Sequence, residues 1–452
     1  MPTHESQDWT GSRTRRQFLR ASGQLAAASA LTPGLVGGLG AAAERTIRLA
    51  LVGCGGRGTG AVADAFAAAG GPVKLVAMAD LFEPRLEASL KHLAEAYAER
   101  VDVPPDRRFV GFDGYRKAID CLEPGDVVLL TTHAAFRPLH FEYAVGKGVN
   151  AFLEKSFATD APALRRLFRA AELSEQKNLK VGVGFMWRHS KARQEAIRRI
   201  HDGAIGDVHT LRIYRVHGPV ECPPLPAGAN ELAFQLQHPN SFTWVSAGFF
   251  VDWHCHNVDV ACWVKDAWPV AAQGMGGRCY AEAGSQFDHY TVEYTFPDGA
   301  KLFAFSRHML GCWETYSDYA HGSEGSAVLM ATLGEPSPKI YRGQEMTEAN
   351  LVWEYGQPDI NPYQAEWQVL LDAIRQDRPH NEARRAAEAD LAALMGRAAT
   401  HTGQYITRQQ VLDSDFQFVA DVDNMSFETP APIHAGTDGL YAPPQPGITQ
   451  EI

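Results

Sequence analysis

The spacing of apolar residues changes along the chain near Gly206. Before that residue, short and nearly continuous apolar runs alternate with longer segments whose apolar residues recur at helical spacing, such as 161–176. Strands that alternate with helices in this way predict a doubly wound parallel sheet. The runs that predict its buried strands are RLALVGCG (48–55), KLVAMAD (74–80), DVVLLTT (126–132), NAFLEK (150–155) and KVGVGF (180–185).

After this point the pattern is typical of strands with one exposed face. VHTLRIYRVHG (208–218) alternates polar and apolar residues, and two alternating runs within 291–308 are joined by Pro297-Asp298-Gly299. Such a turn between alternating runs predicts an antiparallel hairpin. From Asn361 onward the apolar residues return to helical spacing. We therefore expect a C-terminal α+β domain with a large, mostly antiparallel open sheet.

The N-terminus has the pattern of an export signal. Arg15-Arg16 precede a short apolar stretch, and Ala41-Ala42-Ala43 offers the small residues that a signal peptidase cleaves. The paired arginines predict a twin-arginine signal peptide over residues 1–43, and hence a periplasmic or otherwise exported protein. A transmembrane anchor is the alternative, but Thr32-Pro33-Gly34 interrupts a stretch that is short and glycine-rich for a membrane span.

These patterns divide the chain into four predicted segments. They are the signal peptide (1–43), a Rossmann dinucleotide-binding domain (44–165), an α+β domain for substrate binding and oligomerisation (166–412), and an extended C-terminal tail (413–452).

The composition is that of a globular protein and argues against some partners. Hydrophobic residues make up 45% and charged residues 21% of the chain, and the formal net charge is −11. This acidic balance disfavours nucleic acid and anionic membranes as partners. The seven cysteines include no CxxC pair and do not indicate a disulfide framework.

A glycine-rich turn follows the first predicted strand and precedes a helix. GCGGRG (53–58) has the G-x-G-x-x-G spacing, and this context is the one in which the motif binds a dinucleotide. The first glycine permits the tight turn, the second lets the backbone approach a pyrophosphate, and the third allows close packing of helix and strand. The turn residues that we assign to the cofactor are Gly53, Gly55, Gly56, Arg57 and Gly58.

Polar residues also stand at the carboxyl ends of the next strands, where ligands of such sheets bind. Asp80 ends the second strand, and a carboxylate there accepts hydrogen bonds from ribose hydroxyls and repels a 2′-phosphate. We therefore predict NAD as the cofactor rather than NADP. The other residues that we assign to cofactor binding are Thr131, Thr132, His133, His140, Glu154 and Lys155.

Four segments at these strand ends and beyond resemble one known family. TTHAAFRPLH (131–140), FLEKSFATD (152–160), GFMWRH (184–189) and VDWHCHNVD (251–259) together resemble the Gfo/Idh/MocA family of NAD(P)-dependent sugar and cyclitol oxidoreductases, over 48–406. The resemblance implies NAD as cofactor and a carbohydrate as the small-molecule substrate. It also implies a homo-oligomer, a dimer or a tetramer, formed through the open sheet.

The resemblance implies a catalytic group as well. The family's Glu-Lys-Pro motif, whose lysine lies between nicotinamide and substrate, corresponds to Glu154-Lys155-Ser156, with the proline replaced. The family's Asp and His, four residues apart, correspond to Asp252 and His256, which this spacing places on one helix face. A histidine can accept the proton of a sugar hydroxyl while hydride leaves the same carbon. We expect Lys155, Asp252 and His256 to be catalytic.

Neighbouring residues are candidate substrate ligands. Asp259 lies three positions beyond His256 and is expected to orient its imidazole. The pair His254 and His256, with Asp252, also raises a metal site, but side chains at a helix start diverge, so we expect no metal. The residues that we assign to substrate binding are Arg188, His189, Trp253, His254 and Asp259.

Three functions remain open from the sequence. The leading one is an NAD-dependent oxidoreductase of a sugar, cyclitol or glycoside, with tightly bound NAD that is recycled in place. The alternative is an NAD-dependent glycoside hydrolase that works by transient oxidation, elimination, hydration and re-reduction, as related family members do. The third is a non-catalytic sugar-binding protein, against which the presence of Lys155, Asp252 and His256 argues.

Overall fold

The computed structural model describes residues 45–68, 71–280, 282–331 and 337–452, so the predicted signal peptide lies outside the described residues. Arg45–Ile452 form one compact unit. In the part of the chain that the structure describes, no helix is both long and apolar enough to cross a membrane.

The first sheet has six parallel strands in the order β3-β2-β1-β4-β5-β6. They are β1 Ile47–Val52, β2 Val73–Asp80, β3 Arg108–Val110, β4 Val127–Leu130, β5 Asn150–Leu153 and β6 Val181–Val183. Its helices are α1 Gly56–Ala67, α2 Glu83–Ala96, α3 Gly114–Asp120, α4 Arg137–Lys147 and α5 Ala161–Gln176. The strand order reverses between β1 and β4, which is where ligands bind in such sheets. The predicted doubly wound parallel sheet is confirmed.

The second sheet has nine strands in the order β14-β13-β12-β11-β7-β10-β9-β8-β15. They are β7 Val208–His217, β8 Ala271–Gly277, β9 His289–Thr295, β10 Lys301–His308, β11 Thr315–Gly322, β12 Gly325–Met330, β13 Lys339–Arg342, β14 Leu351–Glu354 and β15 Ile406–Thr407. β9 and β10 form the predicted hairpin, and β10 pairs with β7 in parallel. The expectation of a large, mostly antiparallel sheet is confirmed.

Helices cover one face of this second sheet. The remaining helices are α6 Lys191–His201, α7 Glu231–Gln237, α8 Thr243–Ser246, α9 Gly248–Lys265, α10 Pro362–Arg375, α11 Ala383–Thr402 and α12 Arg408–Asp413. α9 packs on β7, and α11 packs on α9, on β8 and on α5 of the first sheet. α11 is therefore buried on nearly all sides, which explains why its apolar residues do not follow a single stripe.

The opposite face of the second sheet carries aromatic residues that helices do not cover. The rings of Tyr214 and Phe305 stack at 5.1 Å on neighbouring strands. Near this face, Met275 is 77% exposed and Trp313 is 68% exposed. This face is thus the open side of the sheet.

The segment after α12 runs over the surface and is tied to both halves of the molecule. The backbone N–H of Phe418 donates to Asp160 at the start of α5, and that of Tyr441 donates to the carbonyl of Ala283 near the second sheet. The segment contains a short 3₁₀ turn at Val422–Asn424 and is otherwise irregular, in keeping with its prolines and glycines.

Candidate active site

In the glycine turn between β1 and α1, Gly53 and Gly58 pack tightly against neighbouring backbone, whereas Gly55 and Gly56 have free space beside them. A Cβ atom on Gly58 would lie 2.1 Å from the carbonyl oxygen of Gly53, and one on Gly53 would lie 2.8 Å from the backbone of Thr131. A Cβ atom on Gly55 or Gly56 would meet no described atom within 4 Å. Among the described residues, no side chain caps the start of α1, so its first N–H groups are available to a phosphate. The turn therefore fits the pyrophosphate of a dinucleotide.

Asp80, at the end of β2, is oriented by backbone groups. Its Oδ2 accepts a hydrogen bond from the N–H of Cys54 at 2.6 Å, and its Oδ1 accepts one from the N–H of Phe82 at 2.9 Å. A carboxylate has about four lone-pair sites, so both oxygens can still accept hydrogen bonds from a ribose.

Residues at the end of β4 line the cleft beside Asp80. The Thr132 hydroxyl lies 3.1 Å from Nδ1 of His140, whose ring stacks on Tyr115 at a centroid distance of 4.1 Å. Burial lowers the pKa of His140 to about 3, so its ring is neutral. The hydroxyl of Thr131, in contrast, donates to the carbonyl of Gly53 at 2.6 Å and supports the glycine turn itself.

Arg57 connects the glycine turn to the loop after β5. Its Nε lies 3.1 Å from Oε1 of Glu154, and its Nη2 donates to Asp64 at 2.6 Å. Burial raises the pKa of Glu154, while the charge of Arg57 opposes that rise. A Cβ atom on Gly184 would lie 2.7 Å from Oε2 of Glu154, so this glycine leaves space for the carboxylate. Arg57 and Glu154 thus fix the glycine turn and the loop after β5 to each other.

Lys155 and Asp252 meet between the two sheets. Nζ of Lys155 donates to Oδ1 of Asp252 at 2.8 Å and also to the backbone carbonyl of Asp252. The Ser156 hydroxyl lies 3.4 Å from the same Oδ1, and the Lys155–Ser156 peptide bond is cis. Burial lowers the pKa of Lys155, but Asp252 outweighs it, so the net pKa is raised and the amine stays charged. The two side chains are 20% and 16% exposed, so a ligand can reach them.

His256 lies one turn after Asp252 on α9. Its Nδ1 has no hydrogen-bond partner among the described residues, and its ring packs edge-on against Phe185 at 5.7 Å. Burial lowers the pKa of His256 well below its usual value, and the positive charges of Lys155 and Arg215 lower it further. The imidazole is therefore neutral at pH 7 and is able to accept a proton.

His133, assigned to the cofactor, lies close enough to Asp252 to respond to its charge. Burial lowers the pKa of His133 to about 4, and the negative charge of Asp252 opposes part of that shift. The structure thus brings the loop after β4, the loop after β5 and the first turns of α9 to one place.

A buried carboxylate on α11 positions the loop that carries Lys155. The side chain of Asp390 accepts hydrogen bonds from the N–H groups of Phe157 at 3.1 Å and Ala158 at 2.7 Å. Burial raises the pKa of Asp390 to about 7, against these two hydrogen bonds. The predicted site residues do not include Asp390, although an acid directly before the apolar run 391–395 of α11 is a usable signal.

A buried arginine on α11 fixes the start of α9. Arg397 donates to the carbonyl of Ala247, at 3.2 Å, and Ala247 begins the helix with a φ of 71°. Nε of Arg397 lies 3.1 Å from Glu451, which also lies 2.7 Å from Nδ1 of His401. The burial of Glu451 raises its pKa, but the charges of His401 and Arg397 lower it to about 2. The C-terminal segment therefore supplies the counter-charge that keeps this arginine in place.

Asp259 does not orient the imidazole of His256, in contrast to the prediction. Its carboxylate accepts two hydrogen bonds from Arg188, both at 2.8 Å, and lies 3.5 Å from Arg385. His189 is also close to a protein carboxylate, since its Nε2 lies 3.5 Å from Glu382. Helix spacing places a side chain on a face but does not say which neighbouring element pairs with it. Arg188, His189 and Asp259 are thus engaged with protein partners.

Trp253 and His254 have different surroundings although they are adjacent. Trp253 is partly exposed, packs on His217 at 4.7 Å and lies beneath the guanidinium of Arg215 at 5.3 Å, so it remains available to a sugar ring. His254 is fully buried beside Phe250, and neither of its ring nitrogens has a partner among the described residues. His254 therefore does not line the pocket as predicted.

One cluster of side chains has the donor types that bind metal ions. Within the described ranges, one group brings three such donors within 4.8 Å of one another: Cys279, Asp288 and His289. Asp288 accepts hydrogen bonds from the N–H of Cys279 at 2.8 Å and lies 2.8 Å from Nδ1 of His289. Hydrogen bonding by Asp288 accounts for this cluster.

Comparisons with known proteins find similarity in structure. No protein-family model matches the chain, and no curated protein matches it in sequence. Levoglucosan dehydrogenase, solved with NADH and levoglucosan, superposes with a TM-score of 0.63 at 16% identity, covering 81% of this chain and 100% of that one.

Two further solved structures have the same fold. The aldose-aldose oxidoreductase from Caulobacter crescentus, complexed with glycerol, gives a TM-score of 0.59 at 16% identity, covering 80% of this chain and 100% of that one. The apo scyllo-inositol dehydrogenase from Lactobacillus casei gives 0.59 at 17% identity, covering 81% and 99%. About a fifth of this chain therefore lies outside the fold that it shares with these proteins.

Proposed function

We propose that the protein is an NAD-dependent oxidoreductase that acts on a sugar, a cyclitol or a glycoside. The observation that carries the proposal is the partly exposed contact of 2.8 Å between Lys155 and Asp252. The loop that carries Lys155 is joined, through Glu154 and Arg57, to a glycine turn that fits a pyrophosphate. The similarity in fold to a levoglucosan dehydrogenase and an aldose-aldose oxidoreductase supports it.

The chemistry follows from the charges of three side chains. The glycine turn and Asp80 would hold NAD⁺, which would supply the hydride acceptor for the sugar carbon that is oxidised. The ammonium of Lys155 donates a hydrogen bond to the reacting hydroxyl oxygen and stabilises its developing negative charge. The imidazole of His256, which burial and the nearby positive charges keep neutral, accepts the hydroxyl proton. Asp252 holds Lys155 in place.

This assignment is tested with matched variants. Lys155→Ala and His256→Ala should each lower turnover about a hundredfold or more, as loss of a positioned acid or base does. His209→Ala, on the exposed start of β7, is the control and should keep full turnover. The assay is a screen of sugars, cyclitols and synthetic glycosides that follows NADH absorbance. Near-native rates in both catalytic variants would place the site elsewhere.

The cofactor preference rests on Asp80. Its carboxylate sits where the adenosine ribose of a dinucleotide would bind and would repel a 2′-phosphate, so the protein should bind NAD well and NADP poorly. The double variant Asp80→Ser, Leu81→Arg should reduce that preference. Equal affinity of the native protein for the two cofactors, measured by calorimetry, would contradict the assignment.

We further propose that NAD is held tightly and recycled in place. The motive is the twin-arginine pattern at Arg15-Arg16, because a protein exported in the folded state can carry a cofactor that the periplasm does not supply. A ligand that binds only the folded state adds about 4 kcal/mol of stability at ~1,000 Kd. Protein purified from the periplasm without added nucleotide should release NAD on denaturation. Protein that contains no NAD after this purification, and that produces NADH stoichiometrically with its substrate, would contradict this proposal and indicate an ordinary dehydrogenase.

The same screen separates the redox-neutral alternatives. Release of free aglycone from a glycoside without net NADH would identify the glycoside hydrolase, whereas two coupled half-reactions on two sugars would identify an oxidoreductase. Both reactions begin with the same proton and hydride removal, so the variants of Lys155 and His256 should lose either activity.

We also propose a homo-oligomer formed through the open face of the second sheet. The exposed Met275 and Trp313 lie near this face, and burying them against a second copy would remove apolar surface from water. Sedimentation should show a dimer or tetramer, and Trp313→Glu should shift it toward the monomer. A native protein that sediments as a monomer would contradict this proposal.

A further inference from the structure

The C-terminal segment passes the adenosine end of the predicted cofactor cleft. After its contact with Asp160, the chain is held by Arg166, whose two terminal nitrogens lie 2.7 and 2.8 Å from the carboxylate oxygens of Asp423. The carbonyl of Phe427 then accepts a hydrogen bond from the side chain of Asn230 at 3.0 Å. These contacts, on both sides of 424–426, fix the position of that stretch.

The ring of Phe427 packs between two aromatic residues of the dinucleotide-binding half. Its centroid lies 5.9 Å from that of Phe82 and 5.1 Å from that of Phe112. Phe82 follows β2 and donates its N–H to Asp80, while Phe112 follows β3. The C-terminal segment therefore reaches the side of the cleft where a ribose bound to Asp80 would carry its base.

Two adjoining parts of the cleft share the same wall. The part beside Asp80 is lined by Leu81, Phe112, Tyr115, Phe136 and His140. The adjoining part has Phe112 and Phe136 in common with it and is closed by Met425 and Phe427. A flat aromatic base suits a slot of this kind, because stacking on aromatic side chains tolerates any orientation in the ring plane.

We propose that Met425 and Phe427 form the outer wall of an adenine-binding pocket and thereby slow the release of NAD. This inference rests on the proposed function. The other walls come from loops that every strand–helix unit of such a sheet provides, whereas this wall comes from a segment far along the chain. For the base to leave, Phe427 must part from Phe82 and Phe112, so release requires the segment to detach.

The experiment measures cofactor release rather than turnover. The full-length protein is loaded with radiolabelled NAD, excess unlabelled NAD is added, and the label retained is followed by rapid gel filtration. Phe427→Ala should release NAD about tenfold or more faster, because the loss of one aromatic contact to a base has about that effect. Phe416→Ala, in the same segment but packed on Phe418, is the control and should release NAD at the native rate.

A second variant leaves the aromatic ring intact. Asp423→Asn weakens the anchor to Arg166 and should also speed release, by a smaller factor, with the far-UV circular dichroism unchanged. Native release rates in both Phe427→Ala and Asp423→Asn would overturn this inference while leaving the proposed function intact. A native protein that binds neither NAD nor NADP would overturn the proposed function and this inference together.

Discussion

The buried histidine on α9 makes the stability of the protein depend on pH in a calculable way. Burial lowers the pKa of His254 to about 3, whereas an unfolded histidine has a pKa of about 6.5. Between these values the unfolded chain binds a proton that the native state excludes, so stability falls as the pH falls below about 6.5. At pH 5.0, about 1.5 units below the unfolded value, His254 alone costs about 2 kcal/mol.

His254→Phe removes this penalty and keeps a ring beside Phe250. We expect it to be more stable than the native protein by about 1 kcal/mol at pH 7.5, since two ring nitrogens without protein partners are removed from the core. At pH 5.0 the gain should grow by about 2 kcal/mol, for the reason given above.

Urea unfolding at pH 7.5 and pH 5.0, followed by tryptophan fluorescence, measures the gain in the free energy of unfolding at each pH. His92→Phe, which changes an exposed histidine of α2, is the control and should leave the pH dependence unaltered. The reasoning is refuted if His254→Phe loses as much stability as the native protein between pH 7.5 and 5.0. Its kcat/KM should be native, because His254 does not face the site.

Three other perturbations have defined outcomes. Glu451→Gln should cost about 3 kcal/mol in urea unfolding, because it leaves buried Arg397 without its counter-charge, whereas the exposed neighbour Gln450→Ala should cost nothing. The contribution of Glu451 to the free energy of unfolding is present above pH 4.5. It should be lost as the pH falls toward about 2, the pKa of Glu451 in the native state. Gly58→Ala should abolish NAD binding in calorimetry, since the added Cβ would lie 2.1 Å from a backbone oxygen of the turn. Asp259→Asn should cost about 3 kcal/mol of stability in urea while leaving the KM for substrate unchanged, because its carboxylate binds two arginines and not the ligand.

The regular elements could be predicted from the sequence wherever a local pattern specifies them. α5 was expected at 161–176 and spans Ala161–Gln176, because Asp160 caps it and its apolar residues keep one period. Only the resemblance of short motifs predicts that Lys155 and Asp252 act together, since Lys155 follows β5 and Asp252 lies on α9, 97 residues further along the chain.

The residues that support the site were not predictable in the same way. Asp390 and Arg397 form hydrogen bonds with backbone groups of other elements. The spacing of residues within α11 does not indicate which groups these are. The partner of Asp259 could not be predicted for the same reason. That partner is Arg188, which follows β6 and therefore belongs to a different element from α9. Glu451 lies in an irregular segment, where no helical or strand periodicity indicates which charged residues are buried.

The link between Arg397 and the start of α9 has a consequence for the order in which the protein is made. Arg397 is 150 residues from Ala247, and Glu451 is another 54 residues along. During synthesis, the part of the chain that forms the first sheet leaves the ribosome first and can fold early, as N-terminal domains do. The first turn of α9, which precedes Asp252 and His256, cannot be fully anchored until both Arg397 and Glu451 have been synthesised. A nascent chain halted before residue 451 should therefore have a complete first sheet, while the Arg397 that anchors the start of α9 still lacks its counter-charge.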